Sequence, residues 1–260
     1  MRFDGKVVVI TGGALGIGQA ASELLAERGA AVSILDWDEE AGIETCDKIV
    51  GSGGKAIFTK VDVSDIDAVR SAVKKTADAF GRIDSLTVSA GIQRYGNAVT
   101  TTDDQWDEVL TVNLRGAWNA ARSVIPYLRS TGGTIVNVSS VQALASQQNV
   151  LAYTVSKHGL LGLTRSIAMD FARENIRANA VCPGTVDTPM LKWAASLDPN
   201  PRSVYEACNQ MHPLGRIAQP REIAEVVAFL AHESSSFVTG AVWTVDGGLL
   251  TQIGGVPQTG

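Results

Sequence analysis

Short β-branched runs alternate with longer amphipathic stretches along the chain, and this rhythm restricts the fold more than any other feature. The runs that read as strands are Val7–Ile10, Ala31–Asp36, Ala56–Lys60, Ser85–Ser89, Thr134–Val138, Ala178–Val181 and Val242–Val245. Helical periodicity covers residues near 17–28, 39–50, 65–80, 103–129, 151–173 and 221–232. Strands separated by helices form right-handed βαβ units, whose strands lie parallel in a sheet covered on both faces. Seven such strands use the whole chain. Residues 1–260 are therefore expected to form a single doubly wound α/β domain of Rossmann type, with a seven-stranded parallel sheet and helices on both faces. Only residues 184–220 break the rhythm, with five prolines and two short apolar patches. An irregular insertion of that length in a compact domain is usually functional, and it reads as a substrate lid. The tail 249–260 follows no regular pattern.

Composition excludes several classes. With 45% hydrophobic residues, folding needs neither disulfides nor metals. The net charge of −5 and the lack of a basic stripe argue against a nucleic-acid partner. Cys46, Cys182 and Cys208 are widely spaced and match neither a disulfide framework nor a metal-ligand pattern, so a reducing compartment and no metal are expected. The first apolar run, Val7–Ile10, is too short for a signal-peptide core or a membrane span. A cytoplasmic protein with no membrane partner is the expectation.

The first strand runs into Thr11-Gly12-Gly13-Ala14-Leu15-Gly16-Ile17-Gly18 and then a helix. Glycines there let the backbone turn sharply and approach a pyrophosphate at the positive end of that helix. A glycine cluster alone also serves plain steric needs, so its context matters. The second strand ends at Asp36, eighteen residues beyond Gly18, where a carboxylate would accept hydrogen bonds from an adenosine ribose and repel a 2′-phosphate. Neither Ala14, Leu15 nor Trp37 supplies a cation for such a phosphate, so NAD is favoured over NADP. Asp62-Val63, after the third strand, is positioned to meet the adenine, although Asp62 with Ser64-Asp65 equally suits a helix cap.

Tyr153 and Lys157 stand four apart in a helical pattern, one turn apart on one face. A phenol titrates near ~10 unperturbed, and a neighbouring ammonium is expected to lower that value toward use as an acid/base. Ser140, just past the fifth strand, is positioned to hold a substrate oxygen; the adjacent Ser139 reads as a loop polar group. Asn113 lies inside a helical pattern, where asparagine is unfavourable unless its amide is satisfied or used.

Thr11-Gly12-x-x-x-Gly16-x-Gly18, Asn113, Ser140, Tyr153-x-x-x-Lys157 and Pro183-Gly184, in this order and spacing, resemble the short-chain dehydrogenase/reductase family over residues 5 to 248. The resemblance implies that Asn113, Ser140, Tyr153 and Lys157 are catalytic and that Lys157 also meets the nicotinamide ribose. It implies that Asn113 bends its helix around a water linking Lys157 to solvent. It further implies that Pro183, Gly184, Val186 and Thr188 cover the nicotinamide. Ser89-Ala90-Gly91 stands where the family has Asn-Ala-Gly, and Ala90 and Gly91 are carried over as cofactor contacts. Family members are commonly tetramers, so a homotetramer is expected, with the tail 249–260 reaching a neighbouring subunit.

For the substrate, a small molecule, the pocket-lining candidates are Arg94, Gln142 and Trp193 beside Ser140 and Tyr153. Amides and a guanidinium suit a hydroxyl-rich ligand, and Arg94 is a candidate partner for a carboxylate, unless it is simply a solvated loop residue. Trp193 suits a lid core as well as a substrate reader, and His212 reads as a loop hydrogen-bond partner. Loop similarity, including Gly91-Ile92-Gln93-Arg94-Tyr95-Gly96, resembles members that oxidise sugars or 2-keto-3-deoxy sugar acids such as L-fuconate and L-rhamnonate derivatives. The rival readings are a 3-oxoacyl-thioester reductase or other secondary-alcohol dehydrogenase, and, in a different class, a non-catalytic NAD-binding regulatory protein.

Overall fold

In the computed structural model, residues 1–129 and 131–252 are described. Seven strands, β1 (Val7–Thr11), β2 (Ala31–Asp36), β3 (Lys55–Lys60), β4 (Ser85–Val88), β5 (Gly133–Val138), β6 (Ile176–Pro183) and β7 (Val242–Val245), form one sheet. Its order is β3-β2-β1-β4-β5-β6-β7, and every pairing is parallel. The strands match the expectation closely because β1, β2 and β4 are buried at every position. A strand covered on both faces must be an unbroken apolar or small run, which is legible without context.

One core layer packs α3 (Ile66–Phe80), α5 (Gly116–Leu128) and α6 (Leu151–Phe171) on one face through Val69, Val73, Val124 and Leu160. The other packs α1 (Gly16–Glu27) and α9 (Pro220–Ala231) on the opposite face through Leu24, Leu25, Ile223 and Val227. In α3 the buried Val69, Ala72, Val73 and Thr76 follow helical spacing, and in α1 so do Ala21, Leu24 and Leu25. The chain reverses its direction of travel between β1 and β4. The crevice beyond their C-terminal ends is therefore the switch point at which open α/β sheets bind ligands.

Two helical expectations change. The segment 103–129 is α4 (Asp103–Leu110), a π-turn (Thr111–Arg115) and α5. The wide turn falls on Asn113, whose side chain is bonded outside its own helix. Residues 184–220 also hold two helices, α7 (Pro189–Ser196) and α8 (Pro201–Met211). Each begins at a proline, since a first-turn proline has no N–H to leave unsatisfied. Prolines that read as breakers are here the starts of helices. The remaining helix, α2 (Glu39–Gly51), is capped by Asp38. Among the described residues no helix is long and apolar enough to cross a membrane. Residues 253–260 of the expected tail lie outside the described residues.

Candidate active site

The turns after β1, β4, β5 and β6 meet along one edge of the sheet. A Cβ on Gly18 would strike the Gly12 carbonyl, so α1 leaves the strand at a distance only glycine allows. The backbones of Gly12 and Ala90 are in similarly close contact, a Cβ on Gly12 coming 2.5 Å from the Ala90 nitrogen. Leu15, at the N-cap of α1, offers no capping side chain, and the first turn has no acidic residue. By contrast α2, α3 and α4 are capped by Asp38, Asp65 and Thr102. The uncapped N–H groups at Gly16, Ile17 and Gly18 suit an anion at the positive helix end, so the residues present fit a dinucleotide pyrophosphate.

Asp36 is buried at the end of β2. One carboxylate oxygen accepts the Ala14 N–H (3.0 Å) and the other the Asp38 N–H (3.1 Å), which pins it against the glycine turn. Lys60, its register partner on β3, donates to Glu39 at 3.0 Å. Trp37 beside it is exposed. Asp62 accepts the Ser64 N–H (2.8 Å), while the cap of α3 is Asp65, which accepts from Asp67 and Ala68. Val63 is a core residue whose side chain fills the space a Cβ on Gly116 would need.

On the other side of the crevice, Tyr153 and Lys157 are buried on α6, with Nζ 5.5 Å from the phenol ring centroid. Ser140 caps a short 3₁₀ turn (Val141–Ala143), and its Oγ accepts the Gln142 N–H at 3.1 Å. Its own hydrogen is thus left for another acceptor. Lys157 Nζ donates to the Val138 carbonyl at 2.9 Å, and the Lys157 carbonyl accepts from Ser139 Oγ at 3.1 Å. Burial pushes the Tyr153 phenol up to about 12, partly offset by its hydrogen bond with Ser140, and pushes Lys157 down to about 8. Spacing alone led to the expectation that the ammonium would lower the phenol; here burial is the largest influence on it, and it acts in the opposite direction.

Asn113 is buried and fully partnered. Its amide donates to the Ile92 carbonyl (2.9 Å) and Ser156 Oγ (3.0 Å), and its oxygen accepts the Ile92 N–H (2.8 Å). It thereby ties the π-turn to the loop after β4 and to α6. Gly91 lies over the same group, since a Cβ there would come 3.3 Å from Asn113 Oδ1 and 3.6 Å from Lys157 Nζ.

The segment after β6 closes the edge. Val186 is buried and bridges to Ala218, and the Thr188 side chain sits 3.2 Å from the position a Cβ on Gly16 would take. Gly184 donates to the Val245 carbonyl (3.0 Å), and Thr185 N–H donates to His212 Nε2 (3.1 Å). Ser139, Ser156, Cys182 and His212 were not singled out as site residues by sequence reasoning. Of these, Ser139 reads in the sequence as a loop polar group and His212, before a proline, as a loop hydrogen-bond partner; Ser156 and Cys182 carry no signal.

The substrate candidates divide. Gln142 adjoins Ser140, donates to Gln147 Oε1 (2.8 Å) and accepts from Thr154 (3.1 Å), which ties this amide pair to α6. Arg94, read either as a partner for a carboxylate or as a solvated loop residue, donates to Glu108 (2.6 Å) and to the Gln93 carbonyl (2.9 Å). Trp193 of α7 stacks on Tyr95, with ring centroids 5.7 Å apart. A cleft of about 690 Å³ opens between this loop and the lid, lined by Tyr95, Asn97, Asn149, Leu197, Asp198 and Val204. Ser140, Tyr153 and Lys157 do not line it.

Comparison with known proteins places this geometry. Residues 12–250 match the family model described as enoyl-(acyl carrier protein) reductase. The chain is 39% identical to the 3-oxoacyl-(acyl-carrier-protein) reductase FabG of Thermotoga maritima, covering 96% of this chain and 100% of that one. It is 38% identical to the meso-2,3-butanediol dehydrogenase of Serratia marcescens, covering 95% and 96%. Among solved structures, the aldohexose dehydrogenase of Thermoplasma acidophilum superposes with a TM-score of 0.90 at 36% identity, covering 98% of each chain.

Proposed function

The chain belongs to the short-chain dehydrogenase/reductase family, and on that premise we propose that it is an NAD-linked dehydrogenase of a small, hydroxyl-rich secondary alcohol. It is an oxidoreductase acting on CH–OH groups and the corresponding ketones. The observation that carries the finer reading is the pinned Asp36 carboxylate facing the glycine turn, opposite the buried Ser140, Tyr153 and Lys157.

Gly12, Leu15, Gly16, Ile17 and Gly18 would hold the pyrophosphate, and Asp36 the adenosine ribose with Trp37 beside it. Asp62 and Val63 would adjoin the adenine. Ala90, Gly91, Pro183, Gly184, Val186 and Thr188 would enclose the nicotinamide end. Bound NAD would supply the hydride acceptor and, when oxidised, a positive charge near Tyr153 and Lys157. Tyr153 holds the proton that is exchanged with the substrate oxygen. With its phenol raised by burial, it is protonated at neutral pH and so ready as the acid for ketone reduction. Ser140, which accepts the Gln142 N–H through one lone pair, would turn its hydrogen from the Tyr153 phenol to the same oxygen. Lys157 has one donor committed to Val138 and two available for the nicotinamide ribose. Asn113 holds the framework behind them.

A sugar is the substrate class favoured by the amide pair of Gln142 and Gln147 and by likeness to an aldohexose dehydrogenase. Since Arg94 is already paired with Glu108, an uncharged sugar fits better than a deoxy sugar acid such as a 2-keto-3-deoxy-L-fuconate or L-rhamnonate. The similarity to a 3-oxoacyl-thioester reductase supports a second reading, reduction of a thioester-borne ketone. A panel of aldoses, deoxy sugar acids, cyclic alcohols and 3-hydroxyacyl thioesters, each with NAD and NADP, tests both. Turnover confined to thioesters or apolar alcohols would overturn the sugar reading.

We further propose a cytoplasmic homotetramer. A groove between α5 and α6, lined by Trp118, Arg122, Ile125, Leu163 and Phe171, supports a subunit contact there. The lid role of residues 184–220 and a subunit-bridging role for the tail belong to the same proposal.

A further inference from the structure

We propose that His212 is a positioning residue whose neutral form clasps the segment after β6 to the lid, and whose protonation opens that clasp and weakens dinucleotide binding. The proposal rests on the reading that Pro183–Thr188 covers the nicotinamide end. His212 follows the last turn of α8 and is 3% exposed. Its Nδ1 is 2.7 Å from the Cys208 carbonyl, which can only accept, so Nδ1 carries the proton. Its Nε2 is 3.1 Å from the Thr185 N–H, which can only donate, so Nε2 is bare. Both bonds exist together only in the neutral imidazole with its proton on Nδ1.

The ring also has no room to retreat. A Cβ on Gly184 would come 2.6 Å from Nε2, so the imidazole lies directly on the backbone of the covering segment. Behind it, a Cβ on Gly247 would meet the ring at 3.5 Å. Protonation places an Nε2–H against the Thr185 N–H, two donors with no acceptor between them, in a buried position. Either the segment or the lid must then move.

The groups around the ring leave this contact to decide the response. From α8 comes the Cys208 thiol, which burial pushes up and so keeps neutral; the Tyr95 phenol beyond it is likewise raised by burial. From the end of β7 comes Asp246, whose two carboxylate oxygens accept the Gly248 N–H (3.0 Å) and the Leu250 N–H (2.9 Å). Gly184 and Thr185 on the covering segment, and Pro213 and Leu214 beyond α8, bring no titratable side chain. Histidine is the unperturbed side chain that changes charge in the mildly acidic range.

The test is the dissociation constant of NAD measured calorimetrically from pH 8 to 5.5 for wild type, His212→Gln and His212→Phe. A glutamine can accept from Thr185 and donate to Cys208 without titrating. Wild-type affinity is expected to fall about tenfold across this range, the His212→Gln curve to stay flat, and His212→Phe to bind weakly at every pH. An equally steep fall in His212→Gln, or wild-type affinity in His212→Phe, overturns the clasp alone. Absence of NAD binding by any variant at pH 8 overturns the cofactor reading and the clasp with it. If His212→Phe does not fold, ¹⁵N spectra of the wild-type imidazole decide. A bare Nε2 at pH 8 that gains its proton as affinity falls supports the clasp, and a doubly protonated ring at pH 8 overturns it.

Discussion

The glycine turn and the proposed lid, residues 184–220, flank one crevice, yet they are held by different means. Helix α1 buries six residues, including Leu24 and Leu25, against the sheet and α9; each such leucine contributes about 1.5–3 kcal/mol. Helix α7 buries only Ala195, and α8 buries none. The lid depends instead on discrete contacts: the Tyr95–Trp193 stack, the His212 bonds and the Asn209 side chain accepting the Ile217 N–H at 2.9 Å. The cofactor side is therefore continuous with the core, and a change there disturbs the fold. The lid side can be altered one contact at a time. Segments with few buried apolar contacts are also those that open at least cost, as a cover over a substrate must.

The strongest way to break this division is at the centre both sides share. Tyr153→Phe removes the proposed acid/base while leaving the glycine turn untouched, so kcat should fall about 10³-fold or more with NAD affinity within a few-fold of wild type. Substantial residual turnover in a steady-state assay would remove Tyr153 from its role.

Lys157→Met separates function from stability. Burial lowers the folded-state pKa of this lysine to about 8, so the charge costs stability below that pH. Lys157 therefore favours the folded state fully only above its unfolded value near 10.5, and that contribution is lost as pH falls toward 8. The methionine variant should be inactive but roughly 1–3 kcal/mol more stable at pH 7 by chemical denaturation, an advantage that fades between pH 8 and 10.5. An advantage that is constant with pH would contradict a titrating origin.

A smaller effect is expected at Asp36. Asp36→Ser removes both the ribose acceptor and the repulsion of a 2′-phosphate, so the NAD/NADP ratio of kcat/KM should fall by about 10–100-fold. Stability should fall too, because the Ala14 and Asp38 N–H groups lose their acceptor. An unchanged ratio would mean that cofactor choice is made elsewhere.

Trp193→Ala should have the least effect on the molecule as a whole. Loss of the stack with Tyr95 is worth about 1 kcal/mol. It should raise substrate KM several-fold with kcat for the chemical step and NAD affinity nearly unchanged. A matching loss of NAD affinity would show that the lid and the cofactor side are coupled more tightly than their packing implies.

Much of this was legible in the residues. The five inner strands follow from runs that must be apolar or small when covered on both faces, and Gly12 and Gly18 mark a turn with no room for a side chain. The family resemblance, carried by the order and spacing of the motifs, picked out Ser140, Tyr153 and Lys157, which converge at the end of β5 and the start of α6. The resemblance implied a bend at Asn113 but not its form as a π-turn, which goes with a pair of bonds to Ile92 and a third to Ser156, forty-three positions away. Nor were the lid helices, since a proline reads as a breaker until its place at a first turn is known.

Local residue pattern is enough for the alternation, and with it the sheet, the crevice and the list of chemical groups brought to it. Those depend on local periodicity and on burial, which each residue type declares alone. Only the tertiary structure decided how those groups are charged and partnered. Burial raised the phenol of Tyr153 against the expectation from its spacing to Lys157, and lowered the ammonium of Lys157; Glu108 took up Arg94, and the Thr185 N–H selected the tautomer of His212. Such outcomes depend on desolvation and on partners distant in the chain, neither of which a local pattern records.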